Sequence, residues 1–135
     1  MFRKDVFDWI LQGCDVSESD YAAALRCRGR MSQVVQLALD ELDFLLTPTT
    51  PFPAQRISYS SEMLSTTHHL NRFAFPFSWA GLPKVSVSCG FTAVGLSIGM
   101  LLNGRHWEEG LLLRVGSAYQ AETTWHLTRP PILGG

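Results

Sequence analysis

An α/β fold is predicted for this chain of 135 residues by two observations. Stretches towards both ends carry apolar residues at helical spacing, and two short runs of β-branched and small apolar residues lie between them. The short runs, Val85–Val87 and Gly95–Leu102, are apolar on both faces, which is typical of strands that have helices on both sides of their sheet. Helix, strand, loop, hairpin and helix therefore follow one another in a mixed α/β order.

Two helices are predicted ahead of the first strand. Met1 to Gln12 has apolar residues at helical spacing, and Gly13 ends the pattern as a helix C-cap does. Ser17 followed by Asp20 is close to a capping box, so a long helix is expected from about Ser17 to Glu41. The apolar face of this helix is expected to consist of Ala24, Cys27, Met31, Val35, Ala38 and Leu42.

The middle of the chain is predicted to alternate strand and loop. Asp43 to Leu46 has the pattern of a buried strand, and the run of prolines after it favours a loop. Gln55 to His69 is polar and weakly periodic, which indicates a surface excursion. The next segment contains four aromatic residues: Phe73, Phe75, Phe77 and Trp79. They could line an apolar acyl pocket, but we favour packing in a buried core.

A hairpin and a final helix complete the predicted elements. Lys84 to Phe91 and Leu96 to Leu102 are expected to be its two strands, with turn glycines beside them. Trp107 to Thr124 again has helical spacing, with acidic residues near its amino end. Arg129 to Pro131 is expected to be an extended tail.

Composition and charge restrict the classes of function. The formal net charge of -1 and the pI near 6.4 leave no basic surplus, which argues against nucleic acid or an anionic membrane as the main partner. Three cysteines at long spacings, Cys14, Cys27 and Cys89, indicate reduced thiols. With neither a secretory leader nor a membrane-spanning run in the sequence, we expect a single cytoplasmic domain.

Several sequence blocks occur in the order and spacing of a known family. Asp43 to Pro53 reads DFLLTPTTPFP, and Gly81 to Gly104 reads GLPKVSVSCGFTAVGLSIGMLLNG. Asn71 precedes the second block, and Arg129-Pro130-Pro131 follows it. Together these blocks resemble the carboxyl-terminal part of amidase-signature enzymes, over residues 17–131. A single block would be a weak motif, but their agreement in order and context is specific.

The resemblance implies a larger fold than this chain contains. Amidase-signature enzymes form an α/β/α sandwich around a mixed sheet, so the chain is expected to be a single partial domain over residues 1–135, with its hairpin flanked by helices in an incomplete fold. The family's two catalytic serines and its lysine lie in the amino-terminal half. This sequence contains no Gly-Gly-Ser-Ser-Gly-Gly-like loop, and its one serine pair, Ser60-Ser61, has no flanking glycine. We therefore assign no catalytic residue to the chain.

Other reactive side chains favour structural roles. Lys84, Ser86 and Ser88 would share one face of a strand, but residues two apart lie roughly 6.5 Å apart at Cα, so a solvated strand end is favoured over a Ser-Lys pair. Cys89 is expected to pack in the core. No metal site is predicted, since neither His68-His69, His106 nor His126 has a carboxylate at ligand spacing. No cofactor is expected.

Three residues are candidates for a substrate pocket. The resemblance implies that the loop of Thr47 and Thr49 approaches the active-site mouth of complete enzymes, although a rigid, proline-fixed turn is the alternative. Asn71 is the third candidate, with a structural hydrogen bond as the favoured alternative. The expected partner is the missing amino-terminal half or a second copy of the chain, and a small amide would bind only in the complete enzyme. A non-catalytic interaction module remains the second hypothesis.

Overall fold

A computed structural model describes residues 4–56 and 69–129 of the chain, apart from the side chain of Asp5. Most of the predicted surface excursion, His68, the serine pair and the prolines of the tail lie outside the described residues. Two short 3-10 helices occupy Gln12–Asp15 and Trp125–Leu127. The other elements are α1 Lys4–Leu11, α2 Glu18–Leu39, β1 Leu45–Pro48, α3 Phe75–Ala80, β2 Lys84–Phe91, β3 Ser97–Asn103 and α4 Glu109–Ala121.

The described strands form one antiparallel sheet in the order β1-β3-β2. On β3, Leu102 pairs with Leu46 on one side and Val85 on the other. The register of the hairpin shifts between Ser88 and Gly90, where β2 has a bulge. The predicted α/β class and the hairpin are confirmed.

The first strand begins later than the sequence pattern indicates. We expected Asp43–Leu46 and a break at Pro48, but β1 runs from Leu45 to Pro48 itself. Because β1 is an outer strand of the described sheet, its last residue needs no donor for a further strand, and proline is tolerated there.

Two apolar clusters hold the helices on the sheet. On one side, α4 packs over β2 and β3, with Leu112 completely buried against Val87 and Leu102. On the other, α2 and α3 meet through Leu39 and Phe77. Leu45 of β1 packs against this second cluster, whereas the strand residues of the first cluster lie on β2 and β3.

Helix α2 starts where the sequence predicts and buries a different face. The hydroxyl of Ser17 accepts a hydrogen bond from the Asp20 amide at 3.2 Å, as a helix N-cap does. The predicted apolar face is correct at the half-buried Val35. It is wrong at the other five positions, which are exposed: Ala24, Cys27, Met31, Ala38 and Leu42. Leu39, which the prediction omitted, is the buried residue, because α3 contacts the carboxyl-terminal part of α2.

The predicted aromatic core is confirmed for one ring only. Phe77 is buried and Phe73 is half-buried. Phe75 and Trp79 are 47% and 39% exposed and lie against each other with ring centroids 4.7 Å apart. One turn of α3 points Phe77 towards Leu39, and the short helix cannot direct all its rings to that side.

Many apolar side chains remain exposed on α1 and α2. Trp9 is 61% exposed, Val34 64% and Leu37 70%. Among the helices of residues 4–56 and 69–129, none is both long and apolar enough to cross a membrane.

Candidate functional site

A group of polar side chains lies on one face of the sheet, and we refer to Thr47, Thr49, Ser86 and Asn103 as the polar sheet group. Thr47 lies on β1, Ser86 on β2 and Asn103 on β3, and Thr49 follows the end of β1. Alternation of side chains along each strand places these residues on a common side. The group therefore contains the two threonines that the sequence marks as pocket candidates.

Thr49 and Ser86 contact each other across the central strand. Their hydroxyl oxygens are 2.7 Å apart, and the Thr49 amide donates to the carbonyl of Gly99 at 2.9 Å. A Cβ atom at Gly99 would lie 2.6 Å from Thr49 Oγ1 and 3.1 Å from Ser86 Oγ. The two hydroxyls meet because β3 has no side chain at this point.

Asn103 anchors the other end of the group. This residue is fully buried, and its Nδ2 donates to the Leu45 carbonyl at 3.1 Å and to Thr47 Oγ1 at 3.2 Å. Its Oδ1 has no hydrogen-bond partner within the described part of the chain. The sequence prediction missed Asn103, whose position at the end of an apolar strand was the available signal.

The three pocket candidates are not equivalent in the structure. Thr47 lines an open cavity of about 310 Å³ that also includes Cys89 and Met100. Thr49 makes the hydroxyl contact with Ser86. Asn71 lies before α3, and its backbone carbonyl accepts from the amides of Ala74 and Phe75 at 3.0 and 2.7 Å. The structure thus brings the two threonines together in the polar sheet group and gives Asn71 a backbone role at the start of α3.

Lys84 is not the solvated strand end that we expected. It is half-buried, and its Nζ donates to the Ala74 carbonyl at 3.0 Å and to the Ser78 hydroxyl. The physical reason is that Ala74, at the start of α3, and Ser78 within it present a carbonyl and a hydroxyl to the ammonium group. Ser86 contacts Thr49 instead, so the serine that Lys84 meets is Ser78, which no sequence pattern singles out.

Cys89 is also less buried than predicted. Its thiol is partly exposed in the cavity beside Thr47, and its Sγ lies 3.5 Å from the Ile98 carbonyl. The bulge at Ser88–Gly90 interrupts regular strand alternation here, so Cys89 lies at a cavity and not under α4.

Arg105 and Glu108 form the principal ion pair near α4. Two hydrogen bonds of 3.0 and 2.9 Å join the guanidinium to the carboxylate. The bonds to Arg105 lower the pKa of Glu108, and the same carboxylate raises the pKa of Arg105. Arg105 also donates to the Asp40 carbonyl at 3.4 Å, which connects the start of α4 with the end of α2.

The described histidines do not gather at one place with acidic or thiol ligands. His106 contacts the side chain of Gln36, with 3.2 Å between their nitrogens. Within residues 4–56 and 69–129, no three side chains of histidine, cysteine, aspartate or glutamate are placed to hold a metal ion.

The sequence profile of the Amidase family matches residues 2–113. The chain belongs to the Amidase family. The match includes the polar sheet group, the hairpin and the first part of α4.

Relatives and solved structures agree with this assignment. The chain is 38% identical over 112 residues to a glutamyl-tRNA(Gln) amidotransferase subunit of Synechococcus sp. (strain JA-2-3B'a(2-13)). It is similar in structure to the same amidotransferase subunit from Thermotoga maritima, with a TM-score of 0.73 and 27% identity, covering 91% of this chain and 28% of that one. It also shares the fold of 6-aminohexanoate cyclic dimer hydrolase, with a TM-score of 0.84 and 20% identity.

All these Amidase-family matches cover most of this chain and a minor part of the other protein. The Synechococcus match covers 83% of this chain but 22% of the relative. The superposition on the cyclic dimer hydrolase covers 98% of this chain and 31% of that structure. The chain thus spans about 22% of the length of the curated relatives that it matches.

Proposed function

We propose that residues 1–135 form the carboxyl-terminal wall of an amidase-signature hydrolase that cleaves carboxamide C–N bonds and releases ammonia or an amine. In this proposal the serine nucleophile, the second serine and the lysine come from a separate segment or chain. The 135-residue chain has no hydrolytic activity by itself. The observation that supports the proposal is the structural match to 6-aminohexanoate cyclic dimer hydrolase. Its TM-score is 0.84, and the matched region is less than a third of the hydrolase chain.

The contacts of Lys84 support the absence of catalysis within the chain. Its ammonium is held by the Ala74 carbonyl and the Ser78 hydroxyl, and that hydroxyl in turn donates to the same carbonyl at 3.1 Å. A lysine that activates a serine must accept its proton, usually with a third group that orients the pair. Here one backbone carbonyl accepts hydrogen bonds from both Lys84 and Ser78, which favours a structural role for the pair.

The polar sheet group is the part that we assign to the mouth of the complete active site. Thr47 lines an open cavity, Thr49 pairs with Ser86 on the same face of the sheet, and the buried Oδ1 of Asn103 has an unused acceptor site among the described residues. Such a surface suits a wall that orients a small amide and does not attack it. The pocket role of Asn71 belongs to the same proposal, through the position of its loop.

The proposed partner is the catalytic half of the amidase fold, with a second copy of the chain as the other candidate. The exposed apolar side chains of α1 and α2 and the outer edges of the described sheet are surfaces that such a partner would cover. We place the complete enzyme in the cytoplasm, with neither nucleic acid nor a membrane as the ligand of this chain.

The alternative is a non-catalytic interaction module derived from an amidase, which the same exposed surfaces favour. The DNA upstream of Met1 distinguishes the two hypotheses. A segment that encodes a Gly-Gly-Ser-Ser-Gly-Gly-like loop, in frame or frame-shifted, supports the hydrolase. Its absence supports the module.

Complementation tests the hydrolase directly. The chain is co-expressed with the part of the Synechococcus amidotransferase subunit that precedes the matched region, and ammonia release from simple primary amides is measured. We expect release from the pair and none from either piece alone. Turnover by the chain alone that Ser86→Ala or Lys84→Ala removes would overturn the proposal, and a folded but inactive pair would favour the module.

A further inference from the structure

A second cavity lies between the tip of the β2–β3 hairpin and the residues that follow α4. It has a volume of about 520 Å³, which is within the range of sites for small organic ligands. It is separate from the polar sheet group, and four residues of its wall lie beyond the end of the family match at residue 113, namely Trp125, His126, Thr128 and Arg129. Nothing in the proposed amide hydrolysis uses it.

An aromatic pair forms one wall of this cavity. The rings of Phe91 and Trp125 are tilted against each other with centroids 6.1 Å apart. Leu96 lines the cavity beside them and, like Trp125, remains about two-fifths exposed, at 38% and 40%. The wall therefore offers apolar contact area that a planar or aliphatic group can cover.

The positive charge of Arg129 lies at the same cavity. Among the residues that the structure describes, His126 and Ser97 also line the cavity, and no aspartate or glutamate does. Within residues 4–56 and 69–129 the ion pairs are Lys4–Asp8 and Arg105–Glu108, so Arg129 has no acidic partner there. A planar guanidinium presents two parallel N–H groups, which match the two oxygens of a carboxylate.

We propose that this cavity binds a small amphipathic carboxylate. The carboxylate is held by Arg129, with His126 as a second donor, and the apolar part of the ligand lies on Phe91, Trp125 and Leu96. Charge complementarity selects an anion, and the apolar wall selects an acid with an aryl or alkyl group over a small inorganic anion. The inference is independent of the hydrolase proposal, because it needs neither the catalytic half nor turnover.

Calorimetric titration of the full chain with 3-phenylpropionate tests the site. We expect saturable binding with one ligand per chain, and weakening by about tenfold or more in Arg129→Gln, which removes a bidentate charged contact. Arg26→Gln is the matched control, because Arg26 is an exposed arginine on α2 that does not line the cavity. Arg129 is itself exposed, so its replacement should leave the circular dichroism spectrum unchanged.

Two further ligands and one further variant separate the parts of the proposal. The neutral 3-phenylpropionamide should bind more weakly than the acid. Trp125→Ala should weaken binding of the acid, but the variant should still bind the acid more tightly than the amide. No saturable binding, or equal binding by wild type and Arg129→Gln, would overturn the site. Tighter binding of phenyl phosphate than of the acid would overturn the assignment to a carboxylate.

Discussion

The hydroxyl groups of Thr49 and Ser86 lie 2.7 Å apart, across a strand that separates their own two chain segments. They reach each other only over Gly99, where the intervening β3 has no side chain. The contact joins the residue that follows β1 to β2.

Replacement of Gly99 by alanine should therefore destabilise the chain. The new methyl group would lie 2.6 Å from Thr49 Oγ1, so the threonine or the strand must move. We expect a loss of about 1–3 kcal/mol in the free energy of unfolding, as for other overpacked sites. Urea unfolding followed by circular dichroism measures it.

Gly29→Ala is the matched control for this change. Gly29 lies within α2 with no heavy atom within 4 Å of an added Cβ, so alanine should stabilise the helix by roughly 0.5–1 kcal/mol. The same substitution would thus act in opposite directions at the two sites. An unchanged or higher stability of Gly99→Ala would show that the hydroxyl contact does not constrain β3.

Lys84→Met should weaken the connection between α3 and the start of β2. The substitution keeps most of the apolar stem but removes the donor to the Ala74 carbonyl and the Ser78 hydroxyl. For a half-buried charged donor we expect a loss of about 1 kcal/mol in the free energy of unfolding. Lys4→Met is the control, because Lys4 is an exposed lysine whose partner Asp8 is also exposed. If both substitutions have an equal, small effect on stability, Lys84 behaves as the solvated strand end that the sequence predicts.

Features set by neighbouring residues could be predicted from the sequence. The start of α2 follows from the Ser17 cap, and the hairpin follows from strand patterns around Gly95, whose φ of 82° suits a turn glycine. The family blocks added the family assignment, which the match over residues 2–113 confirms.

Features that depend on how distant segments meet could not be predicted. The Asn103–Thr47 contact requires the pairing of Leu46 with Leu102 across β1 and β3, and no local pattern specifies that register. The buried face of α2 was misplaced for the same reason, since the docking of α3 decides which apolar residues are covered.

The Arg105–Glu108 pair should contribute to stability at neutral pH and lose that contribution in acid. Its hydrogen bonds lower the pKa of Glu108 in the folded chain below the ordinary value of 4.5. Below that value the unfolded chain binds the proton first, so stability falls as pH decreases towards the folded pKa. Glu108→Gln should flatten this acid limb of the stability–pH curve, measured by urea unfolding at several pH values.

Glu109→Gln is the control for the acid limb. This variant also removes one negative charge, from the residue next to Glu108. Both hydrogen bonds from the Arg105 guanidinium to a carboxylate go to Glu108, so Glu109→Gln leaves them in place. The limb should therefore persist in this variant. Identical curves for the two glutamine variants would contradict an assignment of the acid sensitivity to the ion pair.

The exposed apolar side chains of α2 should make the isolated chain associate. Val34 and Leu37 are 64% and 70% exposed. Exposed apolar side chains of this kind are removed from water when a partner or another copy of the chain binds over them. We expect oligomers of the unchanged chain in light scattering, and smaller species when Val34→Gln and Leu37→Gln are combined. The control combines Val94→Gln and Leu113→Gln, which lie in the hairpin turn and on α4 with exposures of 81% and 61%. If α2 is the surface that the missing half would cover, only the first pair of substitutions changes the size. A sharp monomer peak and a cooperative thermal melt of the unchanged chain would show instead that the fold closes on its own.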